Sequence, residues 1–275
     1  MTEEKKITFT LNNTIEMPSI GLGVLFAKND GEVEKAVTGA LQSGYRKVDT
    51  ASAYQNEEGV GKAIQASGIP REDVFLTTKV WNTEQGYDQT LIALEQSLKK
   101  LKTAYVDLYL IHWPVKNKYK DTYRAMEQIY STGKARAIGV CNFSVQQLED
   151  LMSHSSVLPA INQVEMHPHL SQNDLLNFAN AHNIQLEAWR PIMMGEVLKI
   201  PELISIGETH QKSAVQVTLR WLVQRGVAVI PKSVTQQRIA ENFEIFDFEL
   251  TAEEMAIIES LNQNRHLGED LSHVE

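Results

Sequence analysis

From residue 19 onward the chain alternates, about eight times, between a short apolar run and a longer run with helical spacing of its apolar residues. The short runs are 19–24, 47–48, 74–78, 106–111, 135–140, 160–165, 185–188 and 227–230. Helical periodicity follows at 32–42, 57–66, 91–101, 121–130, 145–152, 173–181, 214–224 and 236–242. Strand then helix, repeated in this way, builds a parallel sheet, because each crossover returns the chain to the same end of the sheet. Two architectures compete, a closed barrel and an open doubly wound sheet. The repeat count and the length of 275 residues fit the barrel. An open sheet usually carries a glycine-rich phosphate loop after its first strand, and Gly21-Leu22-Gly23 lacks the third glycine at the required spacing.

The expected fold is therefore α/β, a (β/α)8 TIM barrel. Two segments fall outside the alternation. Residues 6–17 read as a β-hairpin turning at Asn12-Asn13, placed to close the bottom of the barrel. Residues 251–261 read as an extra C-terminal helix, capped by Thr251 with Glu254 at the capping-box position. Ser144 is the expected N-cap of the helix at 145–152. No low-complexity linker interrupts the chain, so residues 1–275 are expected to form a single domain.

Composition excludes several kinds of partner. A formal net charge of -9 argues against non-specific nucleic-acid binding and attraction to anionic membrane. No run approaches the ~18 apolar residues of a membrane span, and Met1-Thr2-Glu3-Glu4-Lys5-Lys6 does not open a signal peptide. The single Cys141 rules out an internal disulfide and a multi-cysteine zinc site. His167 and His169 stand two apart without an evident third ligand, so no metal is expected. The sequence points to a cytoplasmic monomer acting on small molecules.

Position singles out the candidate site. Asp49, Lys79, His112, Asn142, Trp189 and Lys232 all fall at or just after the C-terminal ends of strands. In a barrel those ends form one rim, where residues distant in sequence converge and sites are built. Tyr54 lies in the loop that leaves Asp49. Each residue alone has an ordinary structural reading, as a turn former, a solvated strand end or a packed ring. Six on one rim are harder to assign to chance.

At these residues the chain resembles the aldo-keto reductase family, and the resemblance covers nearly the whole sequence. It is carried by Gly44-Tyr45-Arg46-Lys47-Val48-Asp49-Thr50-Ala51 with Tyr54 and Asn56-Glu57, and by Thr78-Lys79-Val80-Trp81. Asp107-Leu108-Tyr109-Leu110-Ile111-His112-Trp113-Pro114, Gly139-Val140-Cys141-Asn142-Phe143, Asn162-Gln163-Val164-Glu165 and Ile230-Pro231-Lys232-Ser233 extend it. The resemblance extends to the bacterial branch that includes diketo-gluconate reductases and glyoxal or methylglyoxal reductases. The resemblance implies NADPH-dependent reduction of aldehydes and ketones by a tetrad of Asp49, Tyr54, Lys79 and His112.

The implied chemistry suits those residue types. A carbonyl must receive hydride on carbon and a proton on oxygen. Tyrosine, with an ordinary pKa near ~10, is a weak acid at neutral pH. A Lys79 ammonium would lower it, Asp49 would hold Lys79, and a neutral His112 would polarise the carbonyl. The resemblance further implies that Trp189 stacks on the nicotinamide. Asn142 and Gln163 would bind its carboxamide, and Lys232, Ser233, Arg238 and Asn242 the adenosine 2′-phosphate. Leu25, Phe26, Trp81 and Trp113 are the expected substrate walls. The polar segment after Leu261 reads as short enough to leave the pocket open to small aldehydes, dicarbonyls, keto sugars or ketoesters.

Two positions depart from the family pattern. Cys141 replaces the usual serine before the carboxamide-binding asparagine, and a thiol is a weaker donor. It is expected to be buried and inert. Arg190 replaces a small serine after the stacking aromatic and is expected to contact cofactor phosphate or an acidic substrate group. Two other functions remain open at this level: a Schiff-base lyase using Lys79, and a non-catalytic NADP(H)-binding barrel.

Overall fold

The structure is a computed structural model in which residues 8–271, 273 and 274 are described. Lys6 and Ile7, the first residues of the expected hairpin, lie outside the described residues. The remainder of the hairpin is present: β1 (Thr8–Thr10) pairs antiparallel with β2 (Glu16–Pro18), Phe9 opposite Met17. Its buried Leu11 and Met17 pack among Phe75, Leu108, Ala137 and Ile161, inside the lower end of the barrel. Asn12 and Asn13 donate to the carbonyls of Pro159 (3.0 Å) and Arg136 (2.9 Å). The turn thus closes the bottom, where strand N-termini would otherwise meet water.

Eight parallel strands follow, each hydrogen-bonded to its sequence neighbour. They are β3 (Leu22–Gly23), β4 (Lys47–Asp49), β5 (Phe75–Val80), β6 (Val106–Ile111), β7 (Ala135–Cys141), β8 (Ile161–Glu165), β9 (Gln185–Trp189) and β10 (Ala228–Val229). The seam between first and last is made by bridges Ile20 to Val229 and Gly23 to Lys232. Backbone bonds from Gly21 N to Val229 O (2.9 Å) and Val229 N to Ser19 O (2.8 Å) complete it. A Cβ on Gly23 would lie 2.8 Å from the Ile230 carbonyl oxygen, so the approach requires glycine.

The strand period of two sorts side chains. Val48, Leu76, Tyr109, Ile138, Val164 and Leu186 point outward into a continuous core beneath the helices. Those helices are α1 (Glu32–Gln42), α2 (Glu57–Ala66), α3 (Tyr87–Leu101), α4 (Tyr119–Ser131), α5 (Val145–Met152) and α6 (Asn173–Ala181). α7 (Pro201–His210), α8 (Ala214–Gln224), α9 (Gln236–Phe243) and α10 (Ala252–Ser260) complete the set. Ser144 caps α5 and Thr251 caps α10, each in a reciprocal capping box. α7 is an addition to the sequence reading: it lies inside the β9-to-α8 crossover, begins with Pro201 in its first turn and buries Leu203, Ile206 and Gly207. His210 on α7 and Glu254 on α10 join the two extra helices at 2.9 Å.

Candidate active site

The loop leaving β4 is fastened from both sides. Asn56 donates to the carbonyls of Val24 (2.9 Å) and Ala27 (3.0 Å), and Ser52 Oγ donates to the Lys79 carbonyl (3.1 Å). Between them a single helical turn, Ser52–Tyr54, swings the phenol back over the barrel. Lys79 Nζ, with no exposure, lies 2.5 Å from Asp49 Oδ1, 3.0 Å from the Thr50 carbonyl and 3.4 Å from the Tyr54 hydroxyl. The rings of Tyr54 and His112 meet edge-on at 5.6 Å, and Trp81 meets His112 edge-on at 5.0 Å. Asp49, Tyr54, Lys79, His112 and Trp81 are therefore one cluster.

Burial dominates the electrostatics. It pushes the Tyr54 phenol up to about 12, although the Lys79 ammonium pulls the other way. The expected lowering by Lys79 is present but outweighed, so the free protein holds Tyr54 protonated throughout the physiological range. Burial also works against the charge on Lys79, yet its acidic neighbours, Asp49 foremost, outweigh it and hold the ammonium above its ordinary range. His112 is driven well below the usual histidine range by burial and then by Lys79, which makes it neutral at pH 7.

Beneath this cluster lies a layer that the strand-end reading missed. Gln163 Nε2 donates to Asp49 Oδ2 (2.8 Å) and to Glu187 Oε2 (2.7 Å). Glu187 is ion-paired with Lys47, both fully buried. The available signal was the strand period: Lys47 and Glu187 stand two residues before Asp49 and Trp189, hence on the same interior face.

The residues expected around a nicotinamide are already tied to one another. Asn142 donates to the His112 carbonyl (2.9 Å) and accepts from Trp189 Nε1 (2.9 Å). Cys141 is buried, its Sγ 3.9 Å from Gln163 Oε1, and burial pushes the thiol well up, so it is an inert, protonated group. At the far end of the rim, Lys232 and Arg238 are exposed and form no ion pair among the described residues, while Ser233 and Asn242 are buried between them. α9 begins here without a side-chain cap or an acidic residue in its first turn. Two free cations beside uncapped backbone N–H groups suit a phosphate.

The end of the chain crosses the mouth, contrary to the open pocket that its brevity suggests. Gln263 and Arg265 N–H bond the His169 carbonyl, and Glu165 accepts from the N–H of Leu267 and Gly268 (both 3.0 Å). Asn82 Nδ2 then holds the carbonyls of Leu271 (2.6 Å) and Val274 (2.9 Å). Asn82 follows β5 and Trp189 ends β9, four strands apart in an eight-stranded barrel, so the segment spans its axis. Gly268 lies against the Trp189 ring, where a Cβ would come within 2.4 Å. Arg190, at φ 51°, donates to the Leu267 carbonyl at 2.5 Å and sits 5.5 Å from the Trp189 ring centroid. Its guanidinium therefore anchors this strap. Of the expected substrate walls, Trp81 is in the cluster, Leu25 and Trp113 are half-buried, and Phe26 is 73% exposed.

A closed barrel with a buried lysine–carboxylate pair, a phenol and a neutral imidazole at its C-terminal mouth defines an α/β-barrel enzyme. A profile of the Aldo/keto reductase family matches residues 19–263. Glyoxal reductase of Bacillus subtilis is 51% identical over 263 residues, covering 96% of this chain and 95% of that protein. An aldo/keto reductase from Brucella melitensis superposes with a TM-score of 0.91 at 48% identity, over 94% of this chain and all of the other (100%). A Bombyx mori aldo-keto reductase solved in complex with NADP does so at 0.92 and 37%, over 96% of this chain and 95% of the other. The chain belongs to the aldo/keto reductase family and is an oxidoreductase acting on carbonyl groups.

Proposed function

We propose that the protein reduces small aldehydes and dicarbonyls to alcohols with NADPH, Tyr54 giving the proton to the carbonyl oxygen. The observation that carries this is the buried Asp49–Lys79 pair bonded to the half-buried Tyr54 beside a neutral His112. Bound NADPH would supply the hydride. Tyr54, protonated in the free protein, is the donor, and His112 orients the substrate oxygen toward it. Lys79 stabilises the phenolate left behind, and Asp49 keeps Lys79 charged and in place. The exposed pair Lys232 and Arg238 fits the 2′-phosphate, with Trp189 as the surface for the nicotinamide. The similarity to a glyoxal reductase supports a dicarbonyl substrate. We also read the protein as cytoplasmic, from its single buried cysteine, and as a monomer.

A Schiff-base lyase needs a neutral, accessible lysine. Lys79 is neither: it is buried, charged and bonded to Asp49, Thr50 and Tyr54. The deciding experiment follows NADPH oxidation across a carbonyl panel, with borohydride added in a parallel series. Aldehyde-dependent oxidation without covalent trapping is the expected result. Trapped substrate on Lys79, or no NADPH oxidation with any carbonyl, would refute the proposal. Arg238→Ala is expected to weaken NADPH binding by about tenfold and leave NADH binding unchanged, as read by quenching of tryptophan fluorescence. Equal losses for both cofactors would remove Arg238 from the 2′-phosphate site.

A further inference from the structure

We infer that the buried Lys47–Glu187 pair is a charge-balancing and positioning element of the reductase site, acting on Asp49 through the amide of Gln163. This rests on the reading of Asp49, Lys79 and Tyr54 given above. The interior groups form one line: Lys47, Glu187, Gln163, Asp49, Lys79, Tyr54. Two cations, two carboxylates and one neutral amide balance in charge. Ionised carboxylates only accept hydrogen bonds, so both N–H groups of Gln163 are committed, one to each acid. That fixes which end of the amide points inward and leaves Oε1 on the side of Cys141.

Lys47 is built into this position. It has no exposure, it also donates to the Pro18 carbonyl (3.2 Å), and its stem runs past Gly21, where a Cβ would lie 2.7 Å from Cγ. The titratable groups facing the line are Lys47 and Asp49 from β4, Tyr54 after it, Lys79 from β5, His112 after β6, Cys141 from β7 and Glu187 from β9. β8 brings Gln163 and, two residues on at the mouth, Glu165, which is bonded to the N–H groups of Leu267 and Gly268, while β3 and β10 bring none. Without Lys47, two buried carboxylates would share one amide and a single cation. Such a pair takes up a proton that neither acid alone would hold near neutrality. That proton belongs to the coupled pair, and its share on Asp49 would weaken the hold on Lys79 and disturb the acid–base group above it.

Lys47→Met and the double variant Lys47→Met/Glu187→Gln provide the test, with two readouts of opposite sign. In Lys47→Met, kcat is expected to fall about tenfold on acidification from about pH 8 to 6, through an ionisation displaced upward from that of the parent, whose Asp49 carboxyl is already raised by burial and by Glu187. Stability to urea is expected to move the other way. The shared carboxyl has its folded pKa raised above the unfolded value, so the folded state binds more protons and stability falls as pH rises through that range. The double variant has neither charge and is expected to return both profiles to those of the parent.

Parent-like pH profiles in Lys47→Met, or a double variant as impaired as the single, would overturn the inference. If Lys47→Met does not fold, folding of the double variant still assigns the lesion to an unpaired Glu187, and failure of both assigns it to packing and overturns the inference. A parent that oxidises no NADPH would refute the reductase reading instead, while the urea arm still tests the coupling.

Discussion

Tyr54→Phe is expected to lower kcat for carbonyl reduction by about 10³-fold with NADPH affinity unchanged. The change removes one oxygen, whose proton is the one the substrate must receive, and keeps the ring that packs edge-on against His112. Lys79→Met should reach a similar loss by another route. It removes the cation that stabilises the phenolate and leaves Asp49 buried without its partner. Breaking a buried ion pair in this way costs about 3–5 kcal/mol of stability. Tyr54→Phe breaks no ion pair, so it should retain the parent's unfolding midpoint. The two variants therefore separate chemistry from folding: both inactive, one stable. Single-turnover rates with urea unfolding check this, and a Tyr54→Phe protein within a few-fold of parental kcat would dismiss Tyr54 as the donor.

The pH dependence follows from the same burial. With Tyr54 held at about 12, its deprotonation lies above the working range, and His112 stays neutral throughout it. Reduction by the parent should then show no ionisation from either group between about pH 6 and 9. An alkaline limb near neutrality would mean that the Lys79 field outweighs burial after all.

What was legible in the sequence was the outer layer of the site. Asp49, Lys79, His112 and Trp189 are polar or aromatic residues at the ends of apolar runs, and barrel geometry brings such ends together without reference to their side-chain contacts. The layer below was hidden by the same habit of reading. Lys47 and Glu187 sit within strands, where a charge looks like an interruption of the pattern until the period of two places both inside the barrel. Arg190 stood out as a departure, but its partner, the Leu267 carbonyl, lies 77 residues away in a segment without periodicity. The strap is held by the His169 carbonyl and the side chains of Glu165, Arg190 and Asn82, long-range partners that no local pattern announces. α7 escaped for a different reason: its apolar residues are spread around it and Gly207 interrupts them, which left Pro201 as its only local signal.

Gly23→Val is expected to destabilise the protein by about 2–3 kcal/mol, the cost of overpacking a contact that cannot yield easily. The obstacle is backbone, not a movable side chain: the added Cβ would stand 2.8 Å from the Ile230 carbonyl oxygen. Both strands at this seam are short, β3 and β10 having two residues each, so few hydrogen bonds are available to hold it while it widens. One of those bonds, Gly23 N to Pro231 O at 3.2 Å, belongs to the substituted residue itself. Widening also displaces what the seam carries. Gly23 is registered with Asp49 on one side and bridged to Lys232 on the other. Loss of stability should therefore come with weaker NADPH binding, although Gly23 has no side chain to contact a ligand. Urea unfolding and fluorescence titration with NADPH read the two effects. A parental unfolding midpoint would show that the barrel does not close through this contact, and lost stability with parental NADPH affinity would show that the seam and the phosphate site are independent.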